Sequence, residues 1–463
     1  MSDAELLALS ALEQAALMAQ GDLSSRELTA AYLKRISKLN PVVWAFPDVY
    51  ARRATRAAKQ ADDDRRRGRV HSRFHGVPTA IKDIQLVRFS RSRFGSHSPI
   101  VPWSPVDDRH TSIVRTAGMV ITGKTATSEL GILATVEDTI HPATRNPWDL
   151  SRNACGSSGG AAASVASYML PLAPGSDGAG SIRIPAAACG LFGFKPSRGV
   201  VPNPFGMPDA QSLIAEGCLS RTVSDGVALL DILSKREGKP YGFASAQSLE
   251  LPRLRIRYSL ETPLYDTDPL VQAPVLEAAN LLRREGHDVR EAPFHTTGID
   301  DFLPLMQFLL GHLPGMRWEK THPMTQWMHA QGKHVTKQTY DTKFDELAAR
   351  VATWFDDADI WITPTMPILT PKLGFPEDTS DNYEYFRRAA VLGAYTAAAN
   401  VWGQPAASLP LAQTSDGLPI GVHFMARPGA DMTLIALCTR LEQAMPWRHR
   451  KPSLMQPGLA LAL

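Results

Sequence analysis

Residues 175–185 read GSDGAGSIRIP, and 21 positions before their first glycine a second small-residue run begins, ACGSSGGAAAS at 154–164. Together the two runs hold five hydroxyls (Ser157, Ser158, Ser164, Ser176 and Ser181), with one acid, Asp177, and one base, Arg183, in the second. Glycine at this density permits torsions closed to other residues and lets a ligand approach main-chain N–H groups closely. A loop curling through Gly178, Ala179, Gly180 and Ser181 could aim four successive N–H groups at one oxyanion, where they would meet charge that appears only in a transition state.

Rival uses of such glycines fit less well. The phosphate loop GxxxxGK[ST] is absent and the glycines do not match GxGxxG, which argues against nucleotide binding. Gly156-Ser157-Ser158-Gly159-Gly160 satisfies GxSxG and would make Ser158 the nucleophile of an α/β-hydrolase esterase. That elbow must follow a buried strand, whereas WDLSRNAC precedes it here. A serine nucleophile needs a base. Neither run contains histidine, and Ser-x-x-Lys fails because Thr79 stands three positions before Lys82. Lys82 closes the apolar run VPTAI, an uncomfortable place for a charge unless it is paired or its pKa is lowered. It is either a neutral base or, with Asp83, an ordinary surface turn, and these residues alone leave both open.

The rest of the chain sets the frame. Its 463 residues are 44% hydrophobic and 21% charged with a net charge of +3, the balance of an ordinary globular protein. The basic cluster at 62–67, DDDRRR, carries its own counter-charges and reads as a solvated helix end, so no nucleic-acid partner is expected. Cys155, Cys189, Cys218 and Cys438 lack metal-ligand spacing, which suggests reduced thiols and a cytoplasmic protein. His322, His329 and His334 share no ligand face, so no metal is expected. The acidic N-terminus argues against a signal peptide. The uncharged stretch 389–415 is long enough for a bilayer, but its Ala, Gly, Pro, Asn and Gln favour a buried helix running into a strand.

Ser24 followed by Glu27 signals a capped helix, and a second helix covers VYARRATRAAKQADDDRRR. RFHGVPTAIKDI predicts a strand carrying Lys82, SIVRTAGMVITGKTA a helix, a turn at Gly118 and a strand, and PATRNPWDLSRNA a loop. LRIRYSL, PVLEAANLLRREGHDV, ADIWITP and IGVHFMAR continue the alternation of strand and helix, which predicts an α/β layered fold. The Met- and aromatic-rich stretch 302–340 reads either as helical core or as an adaptable wall over a substrate pocket.

These pieces resemble the amidase signature family. GVPTAIKD, GKT followed by Glu129, TRNPWD, GSSGGAAASVA, GSDGAGSIRIPAAACGLFGFKPSRG, SRTVSD, ITPT and GLPIGVHFMAR occur in the family's order from about residue 10 to about residue 445. The separations of 75 residues from Lys82 to Ser157 and 24 from Ser157 to Ser181 agree as well. The resemblance implies one amidase domain, 1–463, with a large mixed twisted sheet covered by helices on both faces. Within it, 1–70 would be N-terminal helices, 71–235 the signature core, 236–345 a helical substrate-covering region and 346–463 the rest of the core. It also implies a Ser–cisSer–Lys triad: Ser181 as nucleophile, Ser157 as bridging serine on a cis peptide after Gly156, and Lys82, with a depressed pKa, as base. Gly178, Ala179, Gly180 and Ser181 would form the oxyanion hole, with Ser158, Asp177 and Arg183 supporting the loops.

Departures from the family pattern fall around the pocket. Ala179 replaces a cradle glycine, and Ile84 replaces the usual Asn after the Lys-Asp pair. Cys155 stands where Gly is usual, either lining the pocket or filling space. With Phe205 and Met207 of PNPFGMP, Ile84 and Cys155 are the expected substrate contacts. Ile184, where glutaminyl-tRNA amidotransferase A subunits carry Gln, points to a stand-alone hydrolase. The expected activity is hydrolysis of small hydrophobic or aryl amides, with carbamate (urethane) or ester cleavage as the alternative. The protein would be a monomer or homodimer without cofactor or membrane partner.

Overall fold

Serine caps start the chain's first three helices. Ser2, Ser10 and Ser24 each complete a capping box with the glutamate three residues on, opening Asp3–Ala8, Ala11–Gln20 and Ser25–Val43. A computed structural model describes residues 1–98, 101–137, 140–204, 211–234, 241–294, 298–377, 379–452 and 454. The next helix, Ala51–Arg66, buries Ala54, Ala58 and Ala61 at helical spacing, the first two packing with Val120.

A three-stranded sheet has Val120–Thr125 in the middle, antiparallel to Asp48–Val49 and parallel to Pro78–Lys82. Beside it runs an eight-stranded mixed sheet in the order Asp288–Glu291, Arg255–Tyr258, Ile360–Pro364, Pro419–Ala426, Ala406–Gln413, Phe192–Lys195, Ala215–Ser220 and Leu172–Asp177. The first two strands are parallel and are joined by the crossover helix Pro269–Arg284.

Every residue of Pro419–Ala426 and Leu172–Asp177 is buried, so both faces of the sheet are covered. Phe192 and Gly193 show what covers them, because neighbouring strand residues point to opposite faces. A Cβ on Gly193 would run into Ala186 of the helix Arg183–Cys189, while the Phe192 ring meets Gly226 of the helix Val223–Leu233. Glycine and alanine bring the first helix close enough to anchor the loop ahead of it. The second buries Val227, Leu229, Leu230 and Leu233, each contributing about 1.5–3 kcal/mol of apolar burial.

Two sequence expectations are refined here. PATRNPWDLSRNA is not simple loop: Arg145–Asn146 and Asp149–Asn153 pair as a hairpin, its turn fixed by Asn146 Oδ1, which accepts the Trp148 amide at 3.0 Å. Residues 389–415 resolve into the end of the helix Asn382–Ala390, two short helical turns (Val391–Gly393 and Ala398–Val401) and the strand Ala406–Gln413. No helix among the described residues is long and apolar enough to cross a membrane.

Candidate active site

Pro78–Lys82 is buried along its whole length and lies against Leu172–Asp177, with Thr79 Oγ1 donating to the Leu172 carbonyl at 3.3 Å. The strand therefore delivers Lys82 into the interior, where its side chain is 0% exposed. Its Nζ lies 2.8 Å from Ser157 Oγ, 2.9 Å from Ser176 Oγ and 3.4 Å from the Ser176 carbonyl. Burial draws the Lys82 pKa down to about 7, against the opposing charges of Glu216 and Asp177. The surface-turn alternative is thereby excluded.

The Gly156–Ser157 peptide is cis. On one side of it Cys155 has a left-handed φ of +58°, its amide donating to Asn153 Oδ1 at 2.5 Å. On the other, the Ser158 amide donates to the Ser181 carbonyl at 3.1 Å and its hydroxyl to the Ser176 carbonyl at 3.2 Å. Ser158 thus ties the two small-residue runs together from a fully buried position. The segment ahead of it is the edge hairpin Asp149–Asn153, not the buried strand an esterase elbow requires. Gly131, at φ +72°, lies close by, where an added Cβ would sit 3.5 Å from Ser157 Oγ.

The loop of Ser181 is held by a buried ion pair. Arg183 donates through Nε and Nη2 to the two oxygens of Asp177 at 2.9 and 2.8 Å, a fork geometry that suits guanidinium and carboxylate. Asp177 also accepts the amides of Gly180 (2.7 Å) and Ile182 (3.1 Å) and the Asn400 side chain (3.0 Å). Burial alone would raise this carboxyl, yet Arg183, by charge and hydrogen bond, Lys195 and the Ile182 amide hold it well below the usual carboxylate range. Arg183 reaches further to the Thr396 carbonyl, Asn400 Oδ1 and His423 Nε2. Because arginine only donates, His423 Nε2 accepts and its proton resides on Nδ1, facing Thr363 Oγ1. Burial and then Arg183 press the His423 pKa far down, so it stays neutral.

One expectation needs correction. The Gly180 amide donates to Asp177 Oδ1 at 2.7 Å and is not available to an oxyanion, which removes it from the four donors expected there. Ala179 fits because its φ is not positive. Gly180, at φ +128°, is obligatory, since a Cβ there would collide with Thr396 Oγ1 and approach Ile184 Cδ1 to 2.6 Å.

Ser181 opens onto a small apolar cavity of about 90 Å³. Its wall is drawn from Ile132–Ala134, Ile184, Phe302 and Met306, and from Phe386, Ala389, Ala390, Gly393 and Ala397. The two readings of 302–340 thus divide it: Phe302 and Met306 line the cavity, Met324 and Met328 are core, and Trp318 stacks on His329 at 3.6 Å. Cys155 is a space-filler, packed with Ile184, Ala187, Ala188 and Leu392 rather than lining the cavity. Ile84 is half-buried beside Gly131 near Ser157, outside the cavity wall. Phe205 and Met207 lie outside the described residues. Sequence reasoning missed the small-residue segment 389–397, where alanines and a glycine make room by being short, and it left Ser176 without a role.

Comparison with known proteins places nearly the whole chain in one family. The profile of a family described as Amidase matches residues 27–435. A 6-aminohexanoate-cyclic-dimer hydrolase of Pseudomonas sp. (strain NK87) is 33% identical, the match covering 97% of both chains. An acylamidase of Rhodococcus erythropolis is 29% identical over 98% of this chain and 99% of its own. A solved structure of 6-aminohexanoate cyclic dimer hydrolase complexed with substrate superposes with a TM-score of 0.86 at 30% identity, covering 97% of this chain and all of the other.

Proposed function

The chain belongs to the amidase signature family and is an amidase, and from that premise we propose that it is a serine hydrolase cleaving the C–N bond of small hydrophobic or aryl amides through an acyl-enzyme. The observation that carries this is the buried Lys82 amine, drawn down to about 7, with its Nζ 2.8 Å from Ser157 Oγ. Ser181 Oγ attacks the carbonyl carbon while its proton passes to Ser157 Oγ, whose own proton moves to the Lys82 lone pair. The amides of Gly178, Ala179 and Ser181 receive the oxyanion; one such donor is worth about 10²–10³ in rate. As the C–N bond breaks, Ser157 protonates the departing nitrogen and is reprotonated by Lys82. Water then attacks the Ser181 ester by the same relay and releases the acid. Asp177 and Arg183 hold the loop, and the apolar wall receives an uncharged substituent next to the carbonyl.

A fluorophosphonate probe tests the nucleophile: Ser181→Ala is expected to abolish labelling while Ser158→Ala keeps it. Labelling that survives in Ser181→Ala overturns the assignment. A hydrolysis screen over acyl anilides, aliphatic amides, carbamates and p-nitrophenyl esters, with amine and acid release read separately, then orders the substrates. Faster turnover of uncharged anilides than of charged or carbamate analogues is expected.

A further inference from the structure

Behind Lys82 lies a buried polar cluster with no part in the steps above. Glu216 pairs directly with Ser176 across the antiparallel strands Ala215–Ser220 and Leu172–Asp177. Directly opposed residues project from the same face of a sheet, their Cβ atoms about 4.5–5.5 Å apart. The Glu216 carboxylate therefore shares a face with the Ser176 side chain, whose Oγ is 2.9 Å from Lys82 Nζ. Glu216 is only 2% exposed. Its Oε2 accepts from Gln85 Nε2 at 2.9 Å and lies 3.3 Å from His110 Nδ1.

Neither ring nitrogen of His110 makes a hydrogen bond among the described residues, nor does Gln85 Oε1. Apolar side chains would fill this space at lower cost, since a buried carboxylate is tolerated only where charge or hydrogen bonding compensates it. The other charges nearby are committed elsewhere. Asp177 is gripped by Arg183, Asp83 faces Lys124 at 3.6 Å, and Asp108 beside His110 accepts the Thr111 and Leu86 amides.

We propose that Glu216, held by Gln85 with His110 beside it, is the positioning counter-ion of Lys82 and governs how readily Lys82 gives up its proton before attack. It never touches substrate. Its negative charge stabilises the protonated amine, so that Lys82 can carry a proton midway through turnover, although burial opposes the charge. In agreement, the Glu216 charge is the foremost influence opposing burial at Lys82.

The proposal rests on Lys82 being the base, and the test separates the two. The rate of fluorophosphonate labelling is measured against pH for the wild-type chain, Lys82→Ala and Glu216→Gln. Removing the carboxylate disfavours the ammonium form, so the acid limb of the Glu216→Gln profile is expected to move to lower pH by about one unit. A purely structural role would lower the plateau and leave the limb in place. If Glu216→Gln does not fold, Glu216→Ala is measured instead, with and without formate, which should return the limb towards its wild-type position. A limb that stays put, moves alkaline or ignores formate overturns the inference while Lys82→Ala is inactive. Labelling that persists in Lys82→Ala overturns the base assignment itself.

Discussion

The two sides of the site are built by opposite rules. The floor, formed by Lys82, Ser157, Ser176, Asp177 and Arg183, lies between strand ends and a helix start, and every side chain in it is hydrogen-bonded, those of Lys82, Asp177 and Arg183 to several partners each. The wall, from Ile132–Ala134, Phe302, Met306 and 386–397, is apolar and assembled from three stretches distant in sequence. Reacting groups need fixed directions, which strands and forked hydrogen bonds supply. A hydrophobic substituent needs only volume and dryness. Changes to the floor should therefore act on kcat, and changes to the wall on KM and substrate choice.

The sharpest way to break this division is at Lys82. Lys82→Met is expected to cut kcat by about 10⁴-fold or more with KM little altered, as loss of one member of a catalytic unit does elsewhere. The sign of the pH dependence follows. Lys82 must be neutral to accept a proton and its pKa is about 7, so wild-type activity should rise with pH through that region. A rate flat from pH 5 to 9 in steady-state assays would contradict the role.

Arg183 tests whether the floor's rigidity is structural. Arg183→Met leaves the Asp177 carboxylate buried and unpaired, a loss of about 3–5 kcal/mol. Asp177 has a depressed folded pKa, so its stabilising contribution is complete above its unfolded value near 4 and is lost as the pH falls below it. Chemical denaturation of Arg183→Met should show both a lower midpoint and a weakened acid-side loss. Gly180→Ala comes next. Its positive φ and the collision with Thr396 should shift the Ser181 loop and cost about 10²-fold in kcat, whereas Ala179→Gly next door should change kcat less than about threefold.

The same contrast explains what could be read without coordinates. The two small-residue runs were legible because glycines and hydroxyls packed so densely are local demands: the chain must turn tightly and present donors there. The Ser24 cap and the strand ending at Lys82 were legible for similar reasons. The roles of Lys82, Ser157 and Ser181 came only with the family resemblance, since the residues alone left Lys82 between a base and a surface turn. The Gly180 amide was misjudged because only the folded loop shows Asp177 curling back to take it. Cys155, expected at the pocket, does not line it but fills a packed cluster with the wall residue Ile184. The wall was hardest, since Ala389, Ala390, Gly393 and Ala397 act through missing volume, and nothing in a run of small residues says what lies opposite.

A smaller loss than any removal of a floor side chain best sharpens the contrast. Met306 lines the cavity, is half-buried, and packs against clusters on both sides of its helix, Ile299–Gly311. Met306→Ala removes apolar contact from the substrate while leaving every hydrogen bond of the floor in place. KM for an aryl amide should rise about tenfold, the worth of one or two methylene contacts, with kcat within about twofold. Ala390→Leu should do the reverse in volume, excluding bulky acyl groups while sparing acetyl ones. If Met306→Ala instead lowered kcat for every amide alike, the wall would be helping to aim the carbonyl at Ser181, and the separation of chemistry from recognition would have to be drawn elsewhere.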